Sequence, residues 1–501
     1  MDIVPPPPLL LSEPTPWPES YQLPDTVSMS AIDLSNAIHA GDISCTEVMK
    51  DYLAHISALN PIVNAIVSLR DADELIAEAT QLDNELGKGH SRGWLHGIPQ
   101  AIKDLSSTAG IRTTLGSPLM TNHIPDTDSI MVSRIKRDGA IIIGKTNTPE
   151  FGFGSQTFNT VFGATRNAYH PHLTAGGSSG GGAVALALRM LPVADGSDMM
   201  GSLRNPAAYQ NIYGLRPTFG RVPSGPNPEL FGHQLSTEGP MARNIEDLQR
   251  LLVTQSGHDP RVPLSLTDSP ANLSGDLNVC QRGKRIAWLG DWQGELPVEP
   301  GVLALCETAV KQFEQLGCII ESPAMPMSME SLWKSWLTLR HWAISGNLAD
   351  TYQDPEKRRL LKSEAQWEIE QGINLSALDI HKANVTRSQW YTALNKMFQH
   401  YDYVMLPSAQ CFPFPVTTAW PSEIAGQRMD TYHRWMQIVI PGSLAGCPVL
   451  NIPAGFNDND LPMGIQVLAP HRAELVLLQL GQAYHSISPS WKHRLPPFFS
   501  E

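Results

Sequence analysis

Two serines stand on glycine-flanked turns near the middle of this 501-residue sequence. Ser178 lies in Gly176-Gly177-Ser178-Ser179-Gly180-Gly181-Gly182-Ala183. Ser202 lies in Ala194-Asp195-Gly196-Ser197-Asp198-Met199-Met200-Gly201-Ser202-Leu203-Arg204-Asn205-Pro206. Glycine permits φ > 0 and close backbone approach, which suits a reacting centre or tight packing. Alone, the glycine run also fits a flexible linker. A linker would not lead straight into a helix (Ala183 to Met190) and then into a strand-like piece (Val193 to Gly196). A further polar group, Lys103, ends the short apolar strand Gly97-Ile98-Pro99-Gln100-Ala101-Ile102-Lys103-Asp104. A lysine in such a place is ordinarily a solvated surface group.

Other chemistries fit less well. Gly139-Ala-Ile-Ile-Ile-Gly144-Lys145-Thr146 matches a phosphate-binding loop letter for letter. Its four variable positions want to be a buried strand, and Pro149 sits poorly with an immediate helix. No HExxH-type cluster of metal ligands occurs, and none of the six cysteines forms a CxxC pair. Neither a metal site nor a disulfide framework is expected.

The elements that must position these residues follow from hydropathy. With 42% hydrophobic and 17% charged residues, the chain builds a sizeable core. Leu34, Ile38, Val48, Tyr52, Leu53 and Ile56 recur at helical spacing, with Asp42 and Ser44 as cap candidates. Helices are also expected over Leu75 to Leu86 and Ser129 to Arg137, with buried strands at Gly97 to Asp104 and Ala140 to Gly144. Residues 284 to 320 read as strand, helix, strand, and 327 to 400 as mostly helical. Tyr403 to Leu406 and Val449 to Ile452 read as late strands of the same sheet. Alternation of this kind indicates a mixed α/β sheet with helices on its faces. Residues 1–25 carry eight prolines and form an extended arm.

Charge and segment composition narrow the partners. The chain has 36 basic and 49 acidic side chains, a net charge of −13, with no long basic run. Nucleic acid and anionic membranes are disfavoured on electrostatic grounds. Apolar runs such as Ala183 to Leu188 fall far short of the ~20 residues that span a bilayer. The N-terminus lacks the basic start and apolar stretch of a signal peptide, so a reducing, cytoplasmic setting is expected.

The combination of Lys103 in GIPQAIKD, Ser178 in GGSSGGG and Ser202 in GSDMMGSLRNPAA resembles the amidase signature family. Supporting pieces are Gly144 to Phe151, Phe162 to Asn167, Gly214 to Arg221, Gly442 to Pro453 and Gly464-Ile465-Gln466. The resemblance covers roughly residues 28 to 485 and is thin over 321 to 435. It implies an α/β fold with a mixed, mostly parallel central sheet covered by helices on both faces. It also implies one domain over 26–501, with a variable helical region at about 321–435.

The resemblance implies a Ser-cisSer-Lys triad. Ser202 attacks the carbonyl, Ser178 relays the proton across a cis peptide bond, and neutral Lys103 accepts it and later helps protonate the leaving amine. Burial must lower the ordinary lysine pKa of ~10.4 before Lys103 can act as a base. Asp104 does not obviously help, because a close carboxylate stabilises the charged lysine. Ser179 is either a supporting donor or plain loop. Asp198 and Arg204 read as a structural ion pair shaping the turn. The N–H groups of Met199, Met200, Gly201 and Ser202 are candidate oxyanion donors. The sequence departs from the family at Met199-Met200-Gly201, where two adjacent glycines commonly stand. Met200 is then either a wall of the substrate pocket or a core residue behind the turn. Phe151, Gly152 and Phe153 are candidates for the acyl side, while most tryptophans read as core.

The implied function is a cofactor-independent amidase acting on a small organic amide through an acyl-enzyme. Aryl amides, linear amide oligomers and carbamates fit, with side activity on esters or carbamates, and the expected form is a monomer or homodimer. The alternative in the same family is a glutaminase-type subunit of a tRNA-dependent amidotransferase. The acidic balance, the Pro-rich arm and the Met pair do not suggest it.

Overall fold

A computed structural model describes residues 3, 5–225, 227–487 and 494–500. An eight-stranded mixed sheet flanked by helices organises the chain. Its strands run in the order Ile319–Glu321, Arg285–Trp288, Tyr403–Pro407, Pro462–Leu468, Val449–Phe456, Tyr213–Arg216, Thr237–Ala242 and Ala194–Asp198. The mixed sheet is as expected, but the mostly parallel pairing is not. Arg285–Trp288 runs parallel to its two neighbours. The other pairings in this sheet are antiparallel. The reason is local: a short turn at 457–461 folds Val449–Phe456 back on Pro462–Leu468, where a parallel pair would need a long crossover.

Lys103 belongs to a smaller sheet. Pro99–Lys103 runs parallel to Ile141–Thr146, which also pairs with Ile66–Val67. All six residues of Ile141–Thr146 are buried. The phosphate-loop pattern is therefore a core strand, with the Lys145 ammonium donating to the Ser106 carbonyl (2.6 Å) and the Thr108 hydroxyl (2.8 Å).

Local signals set the helix limits. Ser44 and Glu47 form a reciprocal capping box on Cys45–Val63. Asp42 caps nothing, because the preceding helix Ala31–Ala40 starts at Ser30 and ends at Gly41 in the left-handed region. The helix after Ser178 spans Gly180–Ala187, three residues earlier than hydropathy indicates. Its glycines disfavour helix intrinsically, but the packing requires them. A Cβ on Gly181 would lie 2.3 Å from the Asn147 nitrogen, and one on Gly180 would lie 2.3 Å from the Thr157 hydroxyl.

The core runs through Trp333, Trp336 and Trp390, all essentially without exposure. Trp390 also donates to the Pro441 carbonyl at 2.8 Å. The long helices Met329–Gln353 and Ala377–Met397 carry these three residues. The N-terminal arm is extended, and it is bonded to the body at several points. Ile3 and Leu9 donate backbone N–H groups to Asp430 and Thr417. Trp17 stacks on Phe498 at 4.1 Å, and Tyr21–Gln22 pairs with Phe499–Ser500. Residues 1, 2 and 4 of the arm, and 226, 488–493 and 501 of the body, lie outside the described residues.

Candidate active site

Lys103, Ser178, Ser179 and Ser197 meet in the interior. The Lys103 ammonium nitrogen lies 2.9 Å from Ser178 Oγ, 2.8 Å from Ser179 Oγ and 3.0 Å from Ser197 Oγ. The Gly177–Ser178 peptide bond is cis. Lys103 is 1% exposed. Burial lowers its pKa to about 7, against the opposing pull of Asp195, Asp198 and Glu238. Desolvation therefore wins over the neighbouring carboxylates, and an appreciable fraction of neutral amine exists at neutral pH. Asp104 is not one of those carboxylates. It accepts from the Thr114 hydroxyl and backbone N–H and interacts with Lys145 instead. Successive strand residues point to opposite faces, which separates the two lysine environments.

The turn bearing Ser202 is held from below by Asp198. Its carboxylate accepts from the N–H groups of Gly201 (2.8 Å) and Leu203 (3.1 Å). Arg204 grips the same carboxylate with two nitrogens at 3.0 Å and also reaches Val439, Ser443 and Gln466. Arg216 contacts both the Asp198 carbonyl and its carboxylate. All three charged side chains are fully buried. Burial would raise Asp198, but the two guanidinium groups and these hydrogen bonds hold it well below the usual carboxylate range. Arg216 extends the Asp198–Arg204 pair, and its sequence signal was the Gly214 to Arg221 motif.

The two serine turns abut. A Cβ on Gly196 would lie 2.7 Å from both Leu203 Cδ2 and Ser179 Oγ. Glycine at 196 thus lets the segment after Ser202 close over the segment after Ser178. Ser202 is 7% exposed, and its hydroxyl forms no hydrogen bond among the described residues.

The oxyanion donors differ from expectation at one position. Gly201 has a single N–H, and Asp198 takes it. The N–H groups of Met199, Met200 and Ser202 donate to nothing among the described residues. The methionine pair divides between the two roles open to it. The Met200 side chain is buried in the main core cluster, whereas Met199 borders the cavity beside the site.

That cavity holds about 500 Å³. Phe151, Phe153, Leu105, Met199, Thr237 and Ile344 are among its lining residues. Between its lining residues Phe151 and Phe153 stands Gly152, where a Cβ would lie 3.5 Å from Ser178 Oγ. The helix Met329–Gln353, within the variable region 321–435, reaches this wall through Arg340. Its guanidinium donates to Met199 Sδ (3.0 Å), Glu368 (2.6 Å) and the Tyr432 hydroxyl (2.6 Å), and lies over the Phe153 ring. Nothing in the sequence pattern signalled Arg340 or Glu368. Asp195, Ser197 and Glu238 were equally missed, although period-two alternation along Ala194–Asp198 places Asp195 and Ser197 on one face.

Comparison with known proteins places the chain in a family. A family model described as Amidase matches residues 47–478. The chain is 30% identical over 471 residues to an acylamidase from Rhodococcus erythropolis, with 93% of this chain and 97% of that protein covered. It is 32% identical over 475 residues to a glutamyl-tRNA(Gln) amidotransferase subunit from Thermosynechococcus vestitus, covering 90% and 96%. A bacterial aryl acylamidase of the amidase signature family superposes with a TM-score of 0.86 at 28% identity, covering 93% of this chain and 98% of that one. The chain belongs to the amidase signature family. It is an amidase, a hydrolase of carbon–nitrogen bonds other than peptide bonds. No helix among the described residues is long and apolar enough to cross a membrane.

Proposed function

We propose that Ser202 is the nucleophile, Ser178 the proton relay and Lys103 the base of an amidase that prefers amides with an apolar or aromatic acyl group. The observation that carries the catalytic reading is the Lys103–Ser178 contact at 2.9 Å inside a desolvated cage. Neutral Lys103 takes the Ser178 proton as Ser178 takes that of Ser202. The freed Ser202 oxygen adds to the amide carbonyl. The N–H groups of Met199, Met200 and Ser202 are the donors open to the developing oxyanion. Lys103 returns the proton through Ser178 to the leaving nitrogen, the C–N bond breaks, and an acyl-Ser202 remains. Water then repeats the sequence and releases the acid. Esters and carbamates fit the same steps with a different leaving group.

The acyl preference rests on the cavity. Its wall beside Ser178 is Phe151, Phe153, Leu105 and Met199. The cations at that wall are already paired: Arg340 with Glu368, and Lys362, which donates to the Phe153 carbonyl, with Glu364. Glu229, also lining the cavity, spends its carboxylate on the N–H groups of Phe231, Gly232 and His233. A free α-amino acid such as glutamine would leave its own charges unpaired there, at a cost of several kcal/mol. This favours the amidase reading over a glutaminase-type component of an amidotransferase, although relatives of that kind are equally similar in sequence. The acidic charge balance and six free cysteines fit a cytoplasmic enzyme working as monomer or homodimer, with 26–501 acting as one unit. The test is kcat/KM on anilides, aliphatic amides, carbamates, esters and glutamine. Anilides or bulky apolar amides should lead, and a preference for glutamine would overturn the reading.

A further inference from the structure

Beneath Lys103 lies a pair of buried carboxyl groups that the triad does not use. Asp195 and Ser197 share one face of the strand Ala194–Asp198. Glu238, on the neighbouring antiparallel strand, stands directly opposite Ser197. Directly opposed residues project to the same side of a sheet. Asp195, Ser197 and Glu238 therefore form one polar patch, and Ser197 Oγ is itself a contact of the Lys103 ammonium at 3.0 Å. Asp195 accepts the Lys103 backbone N–H at 3.2 Å. Glu238 Oε1 accepts from the Ser106 hydroxyl at 3.0 Å, while its Oε2 is buried without a partner.

We propose that Glu238 is a positioning residue for the base: its carboxyl group, held by Ser106 on the face shared with Ser197, governs how readily Lys103 takes up a proton. This inference rests on the reading of Lys103 as the base. A half-satisfied carboxylate in a dry interior is costly, so Glu238 ionises with difficulty and responds to the charge on Lys103. Burial raises Glu238 to about 7 and Asp195 to about 6; Asp195 adds to the rise of Glu238, and both carboxylates pull the lysine upward. When Lys103 gains its proton during attack, an ionised Glu238 stabilises the ammonium. When Glu238 is protonated, the lysine gives its proton up more easily. The other charges around the lysine are Asp195 and Asp198 on the same strand as Ser197, with Arg204 and Arg216 neutralising Asp198, and Lys145 across the smaller sheet.

The experiment is the pH profile of kcat/KM for the full-length enzyme and for Glu238→Gln, Ser106→Ala and Lys103→Ala, with a neutral anilide as substrate. Glu238→Gln removes a negative charge near the lysine, so the rising limb should move to lower pH by about one unit. The high-pH plateau should fall about threefold as the base weakens. Ser106→Ala removes the donor that favours the ionised carboxylate, so its limb should move the same way by less. Should Glu238→Gln fail to fold, Ser106→Ala carries the test. A wild-type limb, or one moved to higher pH, in the folded variants overturns the role of Glu238. A limb that survives in Lys103→Ala overturns instead the assignment of the base, so the two failures are distinguishable.

Discussion

Asp198 Oδ1 lies 2.8 Å from the Gly201 nitrogen, so a buried carboxylate, not the substrate, takes the N–H next to Ser202. The same carboxylate joins Arg204 and Arg216 in a fully buried cluster. The Ser202 turn is thus built on a buried ion-pair network.

Breaking that network should be expensive. Asp198→Asn leaves two buried guanidinium groups without their anion, and about 3–5 kcal/mol of stability should be lost. The pH dependence has a defined sign. The folded-state pKa of Asp198 is depressed, so its contribution is complete above the unfolded carboxylate range and is lost as pH falls toward the folded value. Urea melts of wild type and Asp198→Asn at pH 7 and in strong acid check this, and the gap should close in acid.

Lys103 predicts a second pH signature. Its amine must be neutral to accept a proton, and burial sets its pKa at about 7. The kcat/KM profile should therefore rise with pH through about 7 instead of through the ordinary lysine range. Lys103→Ala should remove the limb and cost several orders of magnitude. A limb centred near the ordinary lysine value would show that burial does not tune this group.

The methionine pair should separate in their effects. Met199 borders the cavity, so Met199→Ala should change selectivity across a size series of amides by ~1–3 kcal/mol. Met200 packs in the core, so Met200→Ala should cost ~2–5 kcal/mol of stability and leave the ranking of substrates alone. Parallel kcat/KM series and melting curves distinguish the two. A selectivity change in Met200→Ala alone would reverse their places.

Chelators should leave activity intact. No group of three His, Cys, Asp or Glu side chains among the described residues is arranged to hold a metal ion. Activity lost to EDTA and restored by zinc would contradict the Ser-Ser-Lys chemistry.

The two serine turns and the lysine strand were legible because each is a short local pattern whose glycines have a packing reason. Gly181 is tied to the Asn147 backbone, and Gly196 lies between Leu203 and Ser179. The start of the Gly180–Ala187 helix was hidden by those same glycines, since local propensity argues against helix there. Antiparallel pairing escaped because it depends on which strands the turn at 457–461 and the crossings elsewhere bring together, not on the hydropathy of any one strand. The consumption of the Gly201 donor and the position of Glu238 were not legible for a related reason. The first depends on a carboxylate folding back beneath its own turn, and the second on strand register between residues far apart in sequence.

The most direct measurement is intact-protein mass spectrometry during turnover of a slow aryl amide or ester, with peptide mapping of the adduct. A transient mass increase equal to the acyl group, located on Ser202, is the predicted result. Ser202→Ala should fold normally, carry no adduct, and lose activity by at least about 10⁴-fold. An adduct on another residue, or normal turnover by folded Ser202→Ala, would contradict it.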